Sequence, residues 1–350
     1  MEPAAGPGGG AGLSIVTVCM NRREHLRRSA ERVAAWPHHR EHLVVDWSSL
    51  EPLRRADLPA DPRLRLVRVE GESRWNLCRA YNFAIAQVRH PWILKLDADC
   101  WPAAAFDPAL LLGPSPPLGE APDRRSWFGS GPDGRKGQFL CDRRLFEAIG
   151  GFHELLVGYG FDDKELQIRL EQCGGQAPDA IPLDWLEVIV HGDEERAGQG
   201  RAMRPGGLEA ARGQAAMRAT RLANRLVAAH CPWGVHRPAS RYLSQGDGLW
   251  RADPASVPQP PLPVAAELEH VQRMTFWGAF LAIPEVNLEV LPFSLFPPCR
   301  RGQWPVRWWH RIWWHSARRL LDLPVQLLVG GRELVAGRGR RRSAPVRPPS

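Results

Sequence analysis

Short apolar runs alternate with helix-like segments in the first hundred residues, and this alternation limits the possible folds more than any other feature. Four such runs predict strands, at residues 13–19, 42–45, 63–69 and 92–96. Between them, residues 22–36, capped by Asn21, and residues 76–88 have the length and pattern of helices. The order strand, helix, strand predicts an α/β fold with a mainly parallel sheet flanked by helices.

Polar side chains occur where these predicted strands end. Asn21, Asp46, Asp97 and Asp99 all fall at the carboxyl edge of the sheet, where α/β proteins bind ligands. Asp97 and Asp99 are two residues apart on an extended chain, so their carboxylates point the same way. An isolated pair of this kind is also typical of a turn or a helix cap. As a functional pair, the two carboxylates suit Mg²⁺ or Mn²⁺, which in turn neutralises a diphosphate.

The rest of the chain divides by composition. Residues 1–12 predict a flexible N-terminus, and residues 13–205 the α/β domain, with a long loop at 113–137 and a strand ending near His191. Residues 139–141 predict a short strand, and Asp142 caps the helix that follows it. Residues 206–299 predict a helical and Pro-rich extension, and residues 300–350 a basic tail.

Charge and cysteine usage exclude several classes of protein. The net charge of +8 comes from the tail, where twelve Arg face only Asp322 and Glu333, so no nucleic-acid partner is expected. The seven Cys show no metal-binding or disulfide spacing, which fits a reducing compartment. No signal peptide and no apolar run long enough for a membrane span are visible, which predicts a cytoplasmic protein.

Five segments together resemble a known family. They are "SIVTVCMNRREHL", "VVDWSS", "NLCRAYNFAI", "ILKLDADC" and "GGFHELLVGYGFDDKELQIRL". Their order and spacing resemble family 2-type glycosyltransferases of the GT-A (Rossmann-like) fold with a galactosyltransferase-type C-terminal segment, such as chondroitin-polymerase and β1,4-galactosyltransferase-like domains. The resemblance covers residues 12–195 and implies a metal-dependent inverting transfer from a UDP-sugar to the hydroxyl of a glycan or lipid-linked acceptor.

On the donor side, the resemblance implies a set of nucleotide-sugar-binding residues: Asn21, Arg22, Arg23, Asp46, Arg79, Asn82 and Asp97. Asp46 matches the acid that hydrogen-bonds uracil, although Trp47 and Ser48 replace the second Asp and the Gly that usually follow. Asp97 and Asp99 match the metal-binding DxD motif, and His191 matches the third ligand of Mn²⁺ or Mg²⁺. Val188 stands where some relatives have a Met ligand.

On the acceptor side, the resemblance implies that Asp163 is the general base. An inverting transfer needs one carboxylate to take the proton of the attacking hydroxyl. Asp162 and Glu165 are expected to bind the acceptor, and Trp127 and Tyr159 to stack on sugar faces. Without the resemblance, adjacent acids at a helix start are common as caps, and either aromatic ring is equally well explained by ordinary packing.

The tail has a separate pattern. Five Trp fall within residues 303–323. Helical spacing puts Trp309 and Trp313 on one face, and Arg307 and Arg311 on another. This pattern favours peripheral contact with an anionic membrane, at the inner face for a cytoplasmic protein. Docking on the body and nucleic-acid binding are the weaker alternatives.

Two other functions remain open. A nucleotidyltransferase acting on a sugar phosphate has a similar sheet, but its phosphate loop is Gly-rich, whereas "CMNRREHL" contains no glycine. A non-catalytic sugar- or nucleotide-binding module needs no general base, so an intact Asp163 argues against it.

Overall fold

The computed structural model describes residues 12–112, 122–131, 134–189 and 220–265, except residues 222, 226, 238 and 263. Its strands are β1 (Leu13–Cys19), β2 (Glu41–Trp47), β3 (Leu64–Glu70), β4 (Trp92–Lys95), β5 (Cys100–Pro102), β6 (Ser126–Gly129), β7 (Phe139–Asp142), β8 (Asp179–Ile181), β9 (Leu186–Val188), β10 (Tyr242–Gly246) and β11 (Leu249–Ala252). Its main helices are α1 (Arg23–Ala35), α2 (Leu77–Ala86), α3 (Arg143–Ala148) and α4 (Asp162–Gly174). Single 3₁₀ turns lie at Arg55–Asp57, Pro108–Leu110, Arg135–Gly137, Leu183–Trp185 and Pro254–Ser256.

One nine-stranded sheet organises these elements, in the order β10-β11-β3-β2-β1-β4-β7-β6-β8. Strands β1 to β4 and β11 run parallel to their neighbours in the centre, while β7 pairs antiparallel with both β4 and β6. Strands β5 and β9 form a separate antiparallel pair. The sheet confirms the predicted α/β class, a mainly parallel sheet flanked by helices. None of the described helices is long and apolar enough to cross a membrane.

The two faces of the sheet bury different sets of side chains. One face packs against α2, α3, α4 and the helical residues 220–230, around residues such as Tyr81, Phe139 and Leu166. A second cluster holds Trp36, Trp92 and Phe106. Strands β1 and β2 are buried along their whole length, as expected for central parallel strands covered on both sides.

Three local predictions are wrong. Asn21 does not cap α1; Arg22 precedes the helix, and Asn21 has a left-handed backbone (φ 58°). Part of the predicted loop at 113–137 is a strand, because β6 carries buried apolar side chains and pairs with β7. The third wrong prediction is the helical and Pro-rich extension at 206–299. Residues 242–252 within it form a hairpin that joins the same sheet through β11 and β3.

Candidate active site

Asp97 lies just after β4 and is surrounded by donors. Its Oδ1 accepts from Lys95 Nζ at 2.7 Å and from the Tyr81 hydroxyl at 3.2 Å. Gln138 Nε2 donates to its Oδ2 at 2.7 Å, and Gln138 Oε1 accepts from the Asp97 backbone N–H. The side chain remains 34% exposed. Asp97 is therefore fixed in orientation while one side of its carboxylate faces solvent.

Lys95 supplies the positive charge that stabilises the carboxylate of Asp97. Its side chain is fully buried, its Nζ also donates to the Gly137 carbonyl oxygen at 2.7 Å, and it lies 4.6 Å from the centre of the Tyr81 ring. Burial alone would lower the pKa of Lys95, but the carboxylates of Asp97 and Asp163 outweigh burial and raise it. Lys95 therefore stays charged at neutral pH.

Asp99 lies at the start of the turn beside the N-terminus of α1. Its Oδ2 is 3.5 Å from Arg22 Nη1, and both side chains are partly exposed. The intervening Ala98 is held to α1, because its carbonyl oxygen accepts from Ser29 Oγ at 2.9 Å. The DxD segment is thus anchored at both Asp97 and Ala98, and Asp99 projects next to an arginine.

Asp46 is completely buried in this structure. It accepts from the backbone N–H groups of Ser49 (3.1 Å) and Leu53 (3.0 Å) and pairs with Arg68. These contacts shape the loop after β2, and uracil recognition by Asp46 stays a prediction.

The residues after β1 contact this same loop. Asn21 Oδ1 accepts from Leu50 N–H at 2.8 Å, and its own N–H donates to Ser49 Oγ at 3.0 Å. Arg23 donates to the Pro52 carbonyl oxygen and lies 3.6 Å from Glu51. The structure therefore brings Asn21, Arg22 and Arg23 to one edge of the sheet with Asp99.

The two polar residues predicted on α2 have protein partners. Arg79 pairs with Glu72, whose second oxygen accepts from the Tyr242 hydroxyl of the hairpin at 2.9 Å. Asn82 donates to the Phe152 carbonyl oxygen and to Glu154, and accepts from the Phe152 N–H at 2.7 Å. Asn82 therefore holds the segment that precedes α4, and its contact with a nucleotide-sugar stays a prediction.

Helix α4 begins at a strained position. Phe161, the residue before the helix, has a left-handed backbone with φ 75°, which costs energy for a residue with a side chain and which the neighbouring Gly158 and Gly160 adopt easily. This turn brings Asp162 and Asp163 to the first turn of the helix. Burial raises the pKa of Asp162, and burial together with Asp162 raises the pKa of Asp163 well above its usual range.

Asp163 and Asp97 share one small region, although they are far apart in the sequence. A Cβ placed on Gly137 would lie 3.2 Å from Asp163 Oδ2, 3.5 Å from Lys95 Nζ and 3.6 Å from Asp97 Oδ2. Within the described part of the chain, Asp163 Oδ1 is buried and has no hydrogen-bond partner. The structure therefore places a carboxylate with an unpartnered oxygen beside the DxD segment, and the role of Asp163 as the general base stays a prediction.

Two residues that were predicted to bind the acceptor, Glu165 and Trp127, contact other side chains of the protein. Both oxygens of Glu165 are bound by Arg169, which also donates to the carbonyl oxygens of Ile149 and Gly151. Trp127 is only 4% exposed and packs against Trp92, because alternation along β6 turns it into the second core cluster. Neither side chain is free to bind an acceptor in this structure.

Stacking of Tyr159 on a sugar face stays a prediction. Its ring is 46% exposed, and it lies on the loop immediately before Asp162 and Asp163. The predicted metal ligand His191 lies outside the described residues, so the third ligand stays a prediction. Among the described residues, no cluster of three His, Cys, Asp or Glu side chains forms a metal site.

Sequence reasoning missed two residues of the site. Lys95 had a detectable signal, because a lysine inside an apolar strand two positions before Asp97 must share its face. Gln138 had none, because only the pairing of β7 with β4 brings it to Asp97.

One family of known proteins matches part of this chain. Residues 14–112 match the family described as Glycosyl transferase family 2, which covers β1 to β5 and includes the DxD segment. No curated protein matches the sequence. Over residues 14–112, the chain is therefore similar to family 2 glycosyltransferases.

Several solved structures are similar in fold. One is a mannosyltransferase from Pyrobaculum calidifontis in complex with GDP-Man and Mn²⁺, at 17% identity and a TM-score of 0.43, covering 80% of this chain and 76% of that one. A second is the catalytic domain of Drosophila β1,4-galactosyltransferase 7 with xylobiose, at 13% identity and a TM-score of 0.40, covering 69% and 93%. A third is glucosyl-3-phosphoglycerate synthase from Mycobacterium tuberculosis with Mn²⁺, UDP and glucosyl-3-phosphoglycerate, at 17% identity and a TM-score of 0.43, covering 67% and 85%. No residue role is transferred from them, because the similarity is too distant.

Proposed function

We propose that this protein transfers a sugar from a UDP-sugar to an acceptor hydroxyl, with inversion, in a metal-dependent reaction. The observation that supports it most is the meeting of Asp97 and Asp163 around Gly137. One carboxylate belongs to the segment that would face a nucleotide diphosphate. The other has a buried, unpartnered oxygen beside it.

The donor set suits a hard divalent cation. Asp97 and Asp99 supply carboxylate oxygens, which are the ligands that Mn²⁺ and Mg²⁺ prefer. Asp97 is largely occupied by Lys95, Tyr81 and Gln138, so Asp99 is the carboxylate we assign as the principal ligand. When bound, the cation would neutralise the diphosphate of the donor, and Arg22 beside Asp99 would add a second positive charge.

Asp163 would act on the acceptor. Its raised pKa makes it a better proton acceptor than an ordinary aspartate, while Lys95 stabilises its ionised form. Asp162 would orient the acceptor hydroxyl, and the exposed Tyr159 ring would support the sugar. Direct displacement predicts a single step with no covalent intermediate, so isolation of a glycosyl-enzyme would contradict this mechanism.

The deciding experiment is calorimetric binding of UDP, with and without Mn²⁺. We compare the wild type, Asp99→Ala and the control Asp184→Ala, which removes an exposed acid elsewhere. We expect Mn²⁺-dependent UDP binding that weakens about tenfold or more in Asp99→Ala, which corresponds to roughly 1.4 kcal/mol, and no change in the control. A wild type that fails to bind UDP in either condition would contradict the proposal.

The acceptor and the cellular site are part of the same proposal. We infer a glycan or lipid-linked acceptor and peripheral contact with an anionic membrane through residues 303–323, which lie outside the described residues. The Trp and Arg pattern of that segment supports this contact. Sedimentation with vesicles containing phosphatidylserine, compared with neutral vesicles, tests it; equal binding to both, or none, would contradict it.

A further inference from the structure

The loop formed by residues 150–161, which leads into Asp162 and Asp163, is held by a part of the chain to which the sequence assigned no role. The described residues between 220 and 230 are helical and lie against this loop. Asn224, which is 2% exposed, accepts from the Val157 N–H at 3.0 Å. Its Nδ2 donates to the carbonyl oxygens of Val157 (3.0 Å) and Gly160 (2.8 Å). One side chain thus fixes both ends of the "VGYG" turn.

Neighbouring contacts continue this attachment along the loop. Thr220 Oγ1 lies 3.2 Å from both the N–H and the carbonyl oxygen of Tyr159. Trp233 Nε1 donates to the Gly150 carbonyl oxygen at 2.8 Å, and its ring stacks on His153. The Ser240 hydroxyl donates to Glu154 at 2.7 Å. Side chains from Thr220 to Ser240 therefore bond to the loop at positions from Gly150 to Gly160.

The close fit of this loop leaves little freedom for other conformations. A Cβ on Gly158 would come within 2.8 Å of Thr220 Cγ2, and one on Gly160 within 3.1 Å of Arg221 Cγ. Both glycines have left-handed backbones, and so does Phe161. For Phe161, which is not a glycine, such a conformation persists only when its surroundings determine it. Here, the surroundings are the helix at 220–230.

We propose that residues 220–240 brace the acceptor side of the site, with Asn224 as a positioning residue for Tyr159, Asp162 and Asp163. This proposal rests on the proposed function only in assigning the loop to the acceptor. Loss of the Asn224 bonds frees the turn and misplaces the acceptor, because small displacements of positioning groups are costly in group transfer. Within the described part of the chain, the Asn224 side chain bonds to Val157 and Gly160 and not to the strand-end loops that would face the nucleotide, so donor binding is unaffected.

The test compares Asn224→Ala with Val227→Ala, a buried apolar residue on the same helix. Hydrogen exchange of peptides covering residues 156–161 and 46–53 measures the local effect. We expect exchange at 156–161 to become about tenfold faster in Asn224→Ala only, because three hydrogen bonds to the turn are lost. Calorimetry with UDP and Mn²⁺ should give the same affinity for both variants and the wild type.

Transfer kinetics separate positioning from a merely structural role. With UDP-galactose and UDP-glucose as donors and methyl β-glycosides of glucose, galactose and xylose as acceptor probes, Asn224→Ala should raise the KM for the glycoside at least about fivefold, as expected for the loss of one kcal/mol of positioning. The KM for the donor should not change, and Asn224→Gln should restore part of the loss.

Any of three results would overturn this proposal. The first is unchanged exchange at residues 156–161 in Asn224→Ala, and the second is an identical response in Val227→Ala. The third is a parallel loss of UDP affinity in Asn224→Ala. Failure of the proposed function would give a different result, because the wild type itself would then not bind UDP.

Discussion

The strand-end loops (residues 20–22, 46–53 and 97–99) and the 150–161 loop border the same site, but different contacts hold them. Asn21, Asp46 and Ser49 bond mainly to one another across neighbouring strand ends. The 150–161 loop instead depends on Asn82 from α2 and on Asn224 and Trp233 from the far end of the chain. Bonds between neighbouring strand ends therefore position residues 20–22 and 46–53, whereas side-chain bonds from distant segments position the 150–161 loop. The 97–99 segment is intermediate, because Gln138 and Ser29 also hold it.

This difference has a consequence for function. Strand ends in a parallel sheet are rigid, which suits the binding of a nucleotide that many donors share. A loop held by side chains from several elements is altered by changes at any of them. In this protein, acceptor selection should therefore change more easily than donor binding.

The largest expected effect separates the two regions by chemistry. Asp163→Asn keeps the size of the side chain but removes the proton acceptor, so transfer should fall about 10²–10⁴-fold. UDP affinity in Mn²⁺ should stay at the wild-type value, since Asp163 belongs to α4 and not to the strand ends. UDP release from UDP-sugars and UDP calorimetry check the two parts. Parallel loss of UDP binding would show that Asp163 belongs to the donor side.

The next effect concerns Lys95, which bonds to Asp97 and lies near Asp163. Lys95→Met leaves Asp97 without its buried cation and should lower the free energy of unfolding by about 2–3 kcal/mol, less than for a fully buried pair because Asp97 is partly solvated. The control Arg27→Met breaks the exposed pair with Glu31 and should cost at most about 1 kcal/mol. Urea unfolding measures both. Equal losses would show that Lys95 contributes no more than a surface cation.

A glycine pair tests how tightly α2 holds the 150–161 loop. Gly151 and Gly175 both have left-handed backbones, but a Cβ on Gly151 would lie 2.4 Å from Asn82 Oδ1, while one on Gly175 meets nothing within 4 Å. Gly175→Ala should cost about 1 kcal/mol from the backbone alone, and Gly151→Ala about 2–3 kcal/mol because Asn82 must also move. Thermal or urea unfolding gives the difference. Equal costs would show that Asn82 yields easily.

The last effect, which is absent at neutral pH, is a pH dependence located in the 150–161 loop. Burial lowers the pKa of His153 to about 4, so the folded state stays neutral while the unfolded chain takes up a proton below pH 6.5. Stability from this group is therefore complete above pH 6.5 and is lost as the pH falls towards 4, by at most about 1.4 kcal/mol per pH unit.

The measurement is urea unfolding of the wild type and His153→Gln at several pH values from 7 to 4. The variant should show a shallower loss of stability, although buried His39 and His42, whose pKa values are also lowered, keep part of the dependence. Identical slopes would show that His153 does not contribute to the pH dependence.

Much of the donor side was predictable because its signals are local. The apolar runs, Asp97 and Asp99 at the end of one of them, and Asp46 at the end of another all follow from strand periodicity and chain order. The exceptions are informative. Asn21 is a residue type that often caps helices, but here it bonds to the loop after β2. Parallel pairing of β1 and β2 brings Leu50 and Ser49 within its reach.

The acceptor side was predictable only in part. The adjacent acids of "GFDDKEL" and the glycines before them identified the segment, but not its partners. Glu165 was expected to bind an acceptor, yet Arg169 lies one helical turn away and takes both its oxygens. Trp127 was expected at the site, yet strand alternation turns it into the core.

The sequence by itself determined the α/β class and placed Asp97 and Asp99 at the carboxyl edge of the sheet, because these depend on local periodicity and on the order of segments. Asp163 was singled out only by the resemblance to a known family. Only the tertiary structure decided which acids are free and which are paired, that Lys95 and Gln138 fix Asp97, and that Asn224 holds the 150–161 loop. Such contacts join residues distant in the chain, and their energies exist only once the chain has folded and excluded water from them.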